Sequence, residues 1–344
     1  MPESDLKAKR QQYDDWKWMF IRTAELFEKT KVAQSDRVRI AVLDTGLDKS
    51  HPHIKMEIER VWVYDKSKRT FTKGASTNIV DTKGHGTHIV GLVLEYAHEA
   101  DVFVADVDFD NEPNRDMIAD AIVAAVKNKI DIISISVGFQ QRVLGDAMER
   151  AIDYAKANNV LIFAAASNSG ANAGRSWPAR YDGVFAIHST DTNGNPSGFN
   201  PTEFEGINFA TVGEAVESSW PNHLSRSPAK LPNGKGLKGQ DTKGGVDFSP
   251  DCSVEVKSGT SFATPIAASL AVFLLQYAKK NLEPKFVAQL KRYGTMQSVL
   301  KCLAGTKRGG FYYLTLRIHP DHLFGKENAE EIKRIIEAAI NESG

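Results

Sequence analysis

Three short stretches of the chain carry residue types that can do chemistry together. Asp44-Thr45-Gly46 follows an apolar run, His85-Gly86-Thr87-His88 opens a helical pattern, and Ser258-Gly259-Thr260-Ser261 opens another. Each is weak alone, because turn aspartates and serines before helices have ordinary structural uses. In the order Asp, His, Ser they describe nucleophilic catalysis. A serine hydroxyl is a poor nucleophile until a base takes its proton during attack. His85 lies in a motif and is of the residue type that titrates at about pH 6.5. A carboxylate such as Asp44 would fix the imidazole tautomer and stabilise the imidazolium without taking the proton. Two other chemistries fit less well. Asp44, His85 and His88 could suggest zinc, but HExxH and CxxC spacings are absent, so no metal site is expected and His88 reads as structural. An esterase or acyl transferase of α/β type would carry GxSxG in the order Ser, Asp, His, which the GTSFA context of Ser261 does not match. His51-Pro52-His53 has no partner ligands and reads as a surface turn.

The elements that must position these motifs follow from periodicity. Apolar, β-branched runs at 38–43, 102–107, 131–137, 160–166 and 184–188 predict buried strands. Helical patterns lie near 86–97, 115–128 and 142–158. This alternation predicts an α/β fold, a three-layer doubly wound sandwich with a mostly parallel central sheet. Ligands of such sheets bind beyond the carboxyl ends of the strands, and Asp44 stands at the end of the first one. The stretch 261–280, SFATPIAASLAVFLLQYAKK, is apolar almost all round and predicts a buried central helix. Residues 1–36 predict a helical extension packed on the outside through Trp16, Met19, Phe20, Thr23 and Phe27. Residues 37–282 read as the catalytic domain, and 283–344 as a C-terminal extension. That extension ends in a helix near 326–341, with Ile332, Ile335, Ile336, Ala339 and Ile340 on one face and Glu330 four residues before Arg334. Between 221 and 257 the sequence suggests a long loop insertion, rich in Pro, Gly and Lys over 221–250.

The chain resembles the subtilisin-like serine peptidases, in their intracellular or fungal form, from about residue 37 to 280. VLDTGLDKSHP resembles the family's aspartate segment, GHGTHIVG its histidine segment and SGTSFATP its serine segment. The resemblance makes Ser261, rather than Ser258, the nucleophile. Ala164-Ala165-Ala166-Ser167-Asn168 resembles the strand end that supplies the oxyanion-hole asparagine, which implies that role for Asn168. Ser136, Val137 and Gly138 resemble the strand that pairs with substrate backbone, and Trp177-Pro178-Ala179-Arg180-Tyr181 the lining of the first specificity pocket. Ala166, Ser167 and Ser176 are expected to bind substrate as well, Ser176 standing where many members carry a pocket glycine. The implied activity is that of a serine endopeptidase acting through an acyl-enzyme. The alternative is a catalytically silent subtilisin-fold module that binds peptides.

The chain also departs from the family. His53 occupies the position of a calcium-binding aspartate, and the Asn-rich calcium loop is missing where GLVLEYAHEADVFVADV runs from helix to strand, so no tight calcium site of that type is expected. Asp108-Phe109-Asp110-Asn111-Glu112 stands at a subsite loop, where its acids would either favour basic substrate residues or form a solvated acidic turn. No cofactor is implied.

Composition sets the remaining bounds. Lys+Arg 43 balances Asp+Glu 43, which excludes a basic nucleic-acid binder. The longest apolar tract, Ile266 to Leu275, is half the ~20 residues of a membrane span, so neither nucleic acid nor membrane is expected as a partner. The N-terminus mixes charges without an apolar core, so a cytoplasmic location is expected, with polypeptide as substrate and room for a larger regulatory protein. Whether Cys252 and Cys302 pair is open.

Overall fold

The strand that carries Asp44, β1 (Arg39–Asp44), lies inside a nine-stranded sheet. The computed structural model describes residues 3–28, 33–73, 79–109, 112–143, 146–170, 173–202, 206–225, 253–326 and 328–343. The chain begins with α1 (Glu3–Phe27), passes through β1 and the short α2 (Pro52–Met56), then forms β2 (Val61–Asp65) and β3 (Thr70–Lys73). Helix α3 (His85–Tyr96) leads to β4 (Asp101–Asp106) and a two-stranded ribbon, β5 (Asp108–Phe109) with β6 (Glu112–Pro113). Then follow α4 (Arg115–Lys127), β7 (Ile132–Ile135), α5 (Ala147–Ala157), β8 (Leu161–Ala165) and β9 (Val184–Thr190). Next come β10 (Phe209–Val212) and an antiparallel pair, β11 (Val216–Ser219) with β12 (Val254–Lys257). The long α6 (Thr260–Asn281), α7 (Pro284–Leu290), α8 (Tyr293–Ala304), β13 (Tyr312–Tyr313) and α9 (Ala329–Asn341) complete the chain.

The strand order is β13-β10-β9-β8-β7-β1-β4-β2-β3, parallel except for the edge strand β3. β1 sits between β4 and β7, where the winding reverses, so its carboxyl end opens on the crevice in which α/β sheets bind ligands. Side chains alternate across the sheet, as a strand's two-residue period requires. Ile40 and Val42 face one core with α1, α3 and α6, whereas Ala41 and Leu43 face a second core under α4 and α5. The result is the three-layer sandwich that the alternating runs predict. Helix α6 is long and apolar enough to cross a membrane by length and composition, but 94% of that stretch is buried inside the protein.

Several boundaries and placements differ from the sequence reading. α5 starts at Ala147, not near 142, because the Asp146 side chain caps it by accepting from Glu149 N (2.7 Å). The buried stripe of α1 includes Tyr13, whose ring meets Tyr96 through a hydroxyl pair, and leaves Met19 44% exposed. In α9, Glu330 pairs with Lys333 rather than Arg334. The His51-Pro52-His53 segment is not a surface turn. His51 and His53 are buried, with His51 Nε2 against Ser253 O (2.8 Å) and His53 Nδ1 against Ser219 Oγ (3.0 Å), so they tie the β11–β12 pair to α2. The last four residues before Ser258 form β12, while 226–252 lie outside the described residues. Cys302 carries a free thiol on α8, and Cys252 lies outside the described residues.

Candidate active site

Asp44 closes β1 with its side chain fully buried. Its Oδ1 accepts from Thr45 N (2.8 Å) and from His85 Nδ1–H (2.7 Å). The approach of α3 that makes this pairing possible depends on a glycine. A Cβ at Gly86 would lie 2.3 Å from Gly46 O, so only glycine lets the first turn of α3 pack on the turn after β1. The histidine's charge responds to this setting. Burial pulls its pKa down, but the Asp44 carboxylate and its hydrogen bond, with Asp81 and Asp108 further off, outweigh that and hold it above the usual value. Asp108 is at the same time paired with Lys83 (2.8 Å), so this member of the acidic 108–112 loop is neutralised locally; Asp110 and Asn111 lie outside the described residues.

A residue that the motifs do not reveal holds His85 in place. The fully buried Asp81 accepts at Oδ1 from Thr45 Oγ1 (2.9 Å) and Gly84 N (2.7 Å), and at Oδ2 from Thr87 N and Thr87 Oγ1 (both 2.7 Å). One carboxylate thus satisfies orphan donors at the start of α3 and fastens that turn to the end of β1. The only signal in the sequence is an aspartate four residues before the histidine. Asp81→Ala leaves several buried donors unpaired. It should cost about 3–5 kcal/mol, read as a fall in the urea midpoint with unchanged m-value, while Asp81→Asn should cost less.

Ser261 lies on the first turn of α6. Pro265 has no N–H, so the Ser261 carbonyl has no donor within the helix. Ser136 Oγ supplies one at 2.9 Å, and Ser261 Oγ donates in return to Ser136 O at 3.1 Å. In this rotamer the Ser261 hydroxyl faces Ser136, not His85. The neighbouring Ser258 is committed elsewhere: its Oγ accepts from Ala215 N (2.9 Å). Asn168 Oδ1 accepts from Thr260 N (2.8 Å), and Nδ2 lies against Gly259. Gly259 permits this, since a Cβ there would lie 3.0 Å from Asn168 Nδ2.

Ser136, Val137 and Gly138 follow β7, and Ala166 and Ser167 follow its neighbour β8. Ser167 N donates to Thr260 Oγ1 (3.3 Å) and Ala166 O accepts from Ser176 N (2.7 Å). Ser176 Oγ reaches Ala165 O (3.1 Å) and would lie 2.6 Å from a Cβ at Gly138. Val137 packs on the second core, and Phe139 pairs with Trp177 through two 2.8 Å backbone bonds. Ser167 holds φ at +144°, a conformation that ordinarily calls for glycine. His88 is buried, with Nε2 on Glu255 O (3.0 Å) and its ring against Phe262, a structural setting. At the far end of α3, the Arg60 guanidinium donates to Leu94 O, Ala97 O and Ala100 O (2.5, 3.0 and 3.1 Å). A side-chain cation thus occupies the oxygens there. Among the described residues no group of three or more His, Cys, Asp or Glu could hold a metal ion.

The Asp44–His85 pair stands at the crevice of a parallel sheet, and Ser261 lies on the first turn of α6. Residues 35–300 match the sequence profile of the subtilase family, and the chain belongs to that family. It is 31% identical over 326 residues to the subtilisin-like protease het-Q2 of Podospora anserina, covering 80% of this chain and 81% of that protein. It is 29% identical over 331 residues to the major intracellular serine protease of Bacillus subtilis, covering 90% and 89%. Among solved structures, a lanthipeptide protease superposes with a TM-score of 0.64 at 18% identity, over 95% of each chain. The prenylagaramide maturation protease PagA does so with 0.61 at 21%, over 91% of this chain and 98% of that one. The fold is subtilisin-like, and the chain is a serine endopeptidase whose substrates are polypeptides.

Proposed function

We propose that Asp44, His85 and Ser261 form the catalytic triad, with Asn168 in the oxyanion hole. The observation that carries this reading is the 2.7 Å bond between the buried Asp44 and His85 Nδ1, which leaves Nε2 as the base. Rotation of Ser261 about its Cα–Cβ bond turns Oγ from Ser136 O toward that base when substrate arrives. Oγ then bonds to the scissile carbonyl carbon and its proton passes to His85. The C–N bond breaks as His85 returns the proton to the leaving amine; water, deprotonated by His85, then bonds to the acyl carbon, and the acyl–Oγ bond breaks as His85 gives the proton back to Ser261 Oγ. The Asn168 Nδ2 and Ser261 N–H groups, at the positive end of α6, stabilise the oxyanion. Ser136, Val137 and Gly138 offer backbone to an extended peptide, and Ala166, Ser167 and Ser176 line the pocket for the residue before the cut. The kinship with proteases named as intracellular supports action inside the cell.

A fluorophosphonate probe should label the wild-type protein once, at Ser261, as read by peptide mass mapping. An unlabelled folded chain would instead favour the silent peptide-binding module. Asn168→Ala should lower kcat by about 10²–10³ with little change in KM, the size measured for the oxyanion-hole asparagine of subtilisin. Because the free enzyme needs neutral His85, kcat/KM should fall as pH drops through a midpoint above 6.5. A pH profile with an acid limb well below 6.5 would speak against the Asp44–His85 coupling.

A further inference from the structure

The turn Gly213-Glu214-Ala215, between β10 and β11, holds the two residues that lead into the start of α6. Gly213 O accepts from Gly259 N (2.8 Å), and Ala215 N donates to Ser258 Oγ (2.9 Å). A Cβ on Gly213 would lie 2.8 Å from Gly259 O, so the two backbones are in direct contact. Thr260 and Ser261 come next in the chain, and small displacements of a nucleophile and of an oxyanion donor are costly to the rate. The turn is also strained. Ala215 is buried and holds φ at +54°, a left-handed conformation that a side chain disfavours and that persists only where surrounding contacts enforce it.

One of those contacts comes from the beginning of the chain. Lys9 Nζ, on α1, donates to Glu214 Oε2 (2.7 Å) across 205 residues of sequence. That hydrogen bond is the largest influence on the lysine and holds its pKa above the ordinary ammonium value. Lys9 is itself fixed. Four residues on, and so on the same face of α1, the fully buried Tyr13 meets Tyr96 through the hydroxyl pair (3.0 Å), and Trp16 Nε1 donates to Tyr313 OH (2.8 Å). The Lys9–Glu214 pair is partly exposed, so it adds little to stability by itself. Its effect falls on geometry, because Glu214 lies between the two residues that bond Gly259 and Ser258. A second pair, Lys17 with Glu95 (3.0 Å), is more deeply buried and ties α1 to the end of α3 opposite His85.

We propose that Lys9 and Glu214 are a positioning pair for the nucleophile: through the Gly213-Glu214-Ala215 turn, the N-terminal helix fixes Ser258 and Gly259 and with them the orientation of Ser261. This rests on the reading of Ser261 as the nucleophile. Peptide turnover, fluorophosphonate labelling and thermal unfolding of the full chain test it together. Lys9→Met and Glu214→Gln should each lower kcat about tenfold with KM nearly unchanged, and slow labelling of Ser261 by a similar factor. Their thermal midpoints should stay within about 2 °C of wild type. Lys9→Arg, which keeps the charge, should recover most of the lost kcat. Lys17→Met should behave in the opposite way, lowering the thermal midpoint more than Lys9→Met does and leaving kcat within about twofold of wild type. Wild-type kcat in Lys9→Met and Glu214→Gln would overturn the proposal. So would a loss carried by KM, a Lys9→Arg variant as slow as Lys9→Met, or an equal fall of kcat in Lys17→Met, which would mark a general loosening of the fold. Failure of the triad reading shows separately, as turnover surviving in Ser261→Ala.

Discussion

Ser261→Ala should lower peptide-bond hydrolysis by roughly 10⁶-fold, the magnitude measured for loss of the nucleophile in subtilisin. Stability should hardly change. Among the described residues the hydroxyl makes one hydrogen bond, to Ser136 O, and one such bond contributes about 1 kcal/mol. The separation of a very large kinetic effect from a very small thermodynamic one is what marks a nucleophile. Turnover of a fluorogenic peptide and the thermal midpoint, measured on the same sample, give both readings. Ser258 makes the comparison sharper. Its Oγ holds Ala215 N, so Ser258→Ala should cost stability and leave turnover within about tenfold of wild type. If Ser258→Ala silenced the enzyme and Ser261→Ala did not, the nucleophile would be misassigned.

Acid should unfold the protein in a pH range where many domains are still stable. Burial is the largest influence on His53, His88 and His188; it holds the first at about 4 and the other two at about 3. His188 Nε2 has no partner among the described residues, so a proton added there meets no acceptor. Each histidine is neutral in the fold at pH 6 and titrates at about 6.5 once unfolded. Between pH 6.5 and about 4 the unfolded chain therefore binds more protons, and stability falls as pH falls. Three such groups contribute a loss on the order of 6 kcal/mol by pH 5, which is comparable with the whole stability of a typical domain. His85 acts in the opposite sense. Its raised pKa gives stability that is fully present below pH 6.5 and is lost as pH rises through the folded value, and Glu28, which burial pushes up to about 8, likewise gains stability as pH falls, so the two offset part of the effect. Thermal unfolding at pH 7.5 and pH 5 under constant ionic strength should show a large drop. An unchanged midpoint would show that these histidines find acceptors or water in solution.

The histidines also show where reading from sequence stops. His51 and His53 look like a solvated turn because local spacing offers them no partner. Their partners, Ser253 and Ser219, are 202 and 166 residues away along the chain. Met19 fits a helical stripe by period, yet the stripe that meets Tyr96 of α3 runs through Tyr13, Trp16 and Phe20 and leaves Met19 out. Asp81 was invisible for a related reason: a carboxylate that receives backbone N–H groups has no side-chain pattern to betray it.

What the sequence by itself determined is local in origin. Two-residue and 3.6-residue periods separate strands from helices, because a side chain's burial repeats with the geometry of its own element. The alternation of those elements leads to a parallel sheet, and short turn motifs at their ends carry Asp44, His85 and Ser261 in an order that few other enzymes share. Tertiary structure alone decided how those ends meet. It set Gly86 against Gly46 O and hung the Asn168 amide on Thr260 N across 92 residues of chain. It also let Ser136 complete the carbonyl that Pro265 leaves open, across 125 residues. Such contacts depend on the three-dimensional closure of the sheet, and no window of sequence contains both partners.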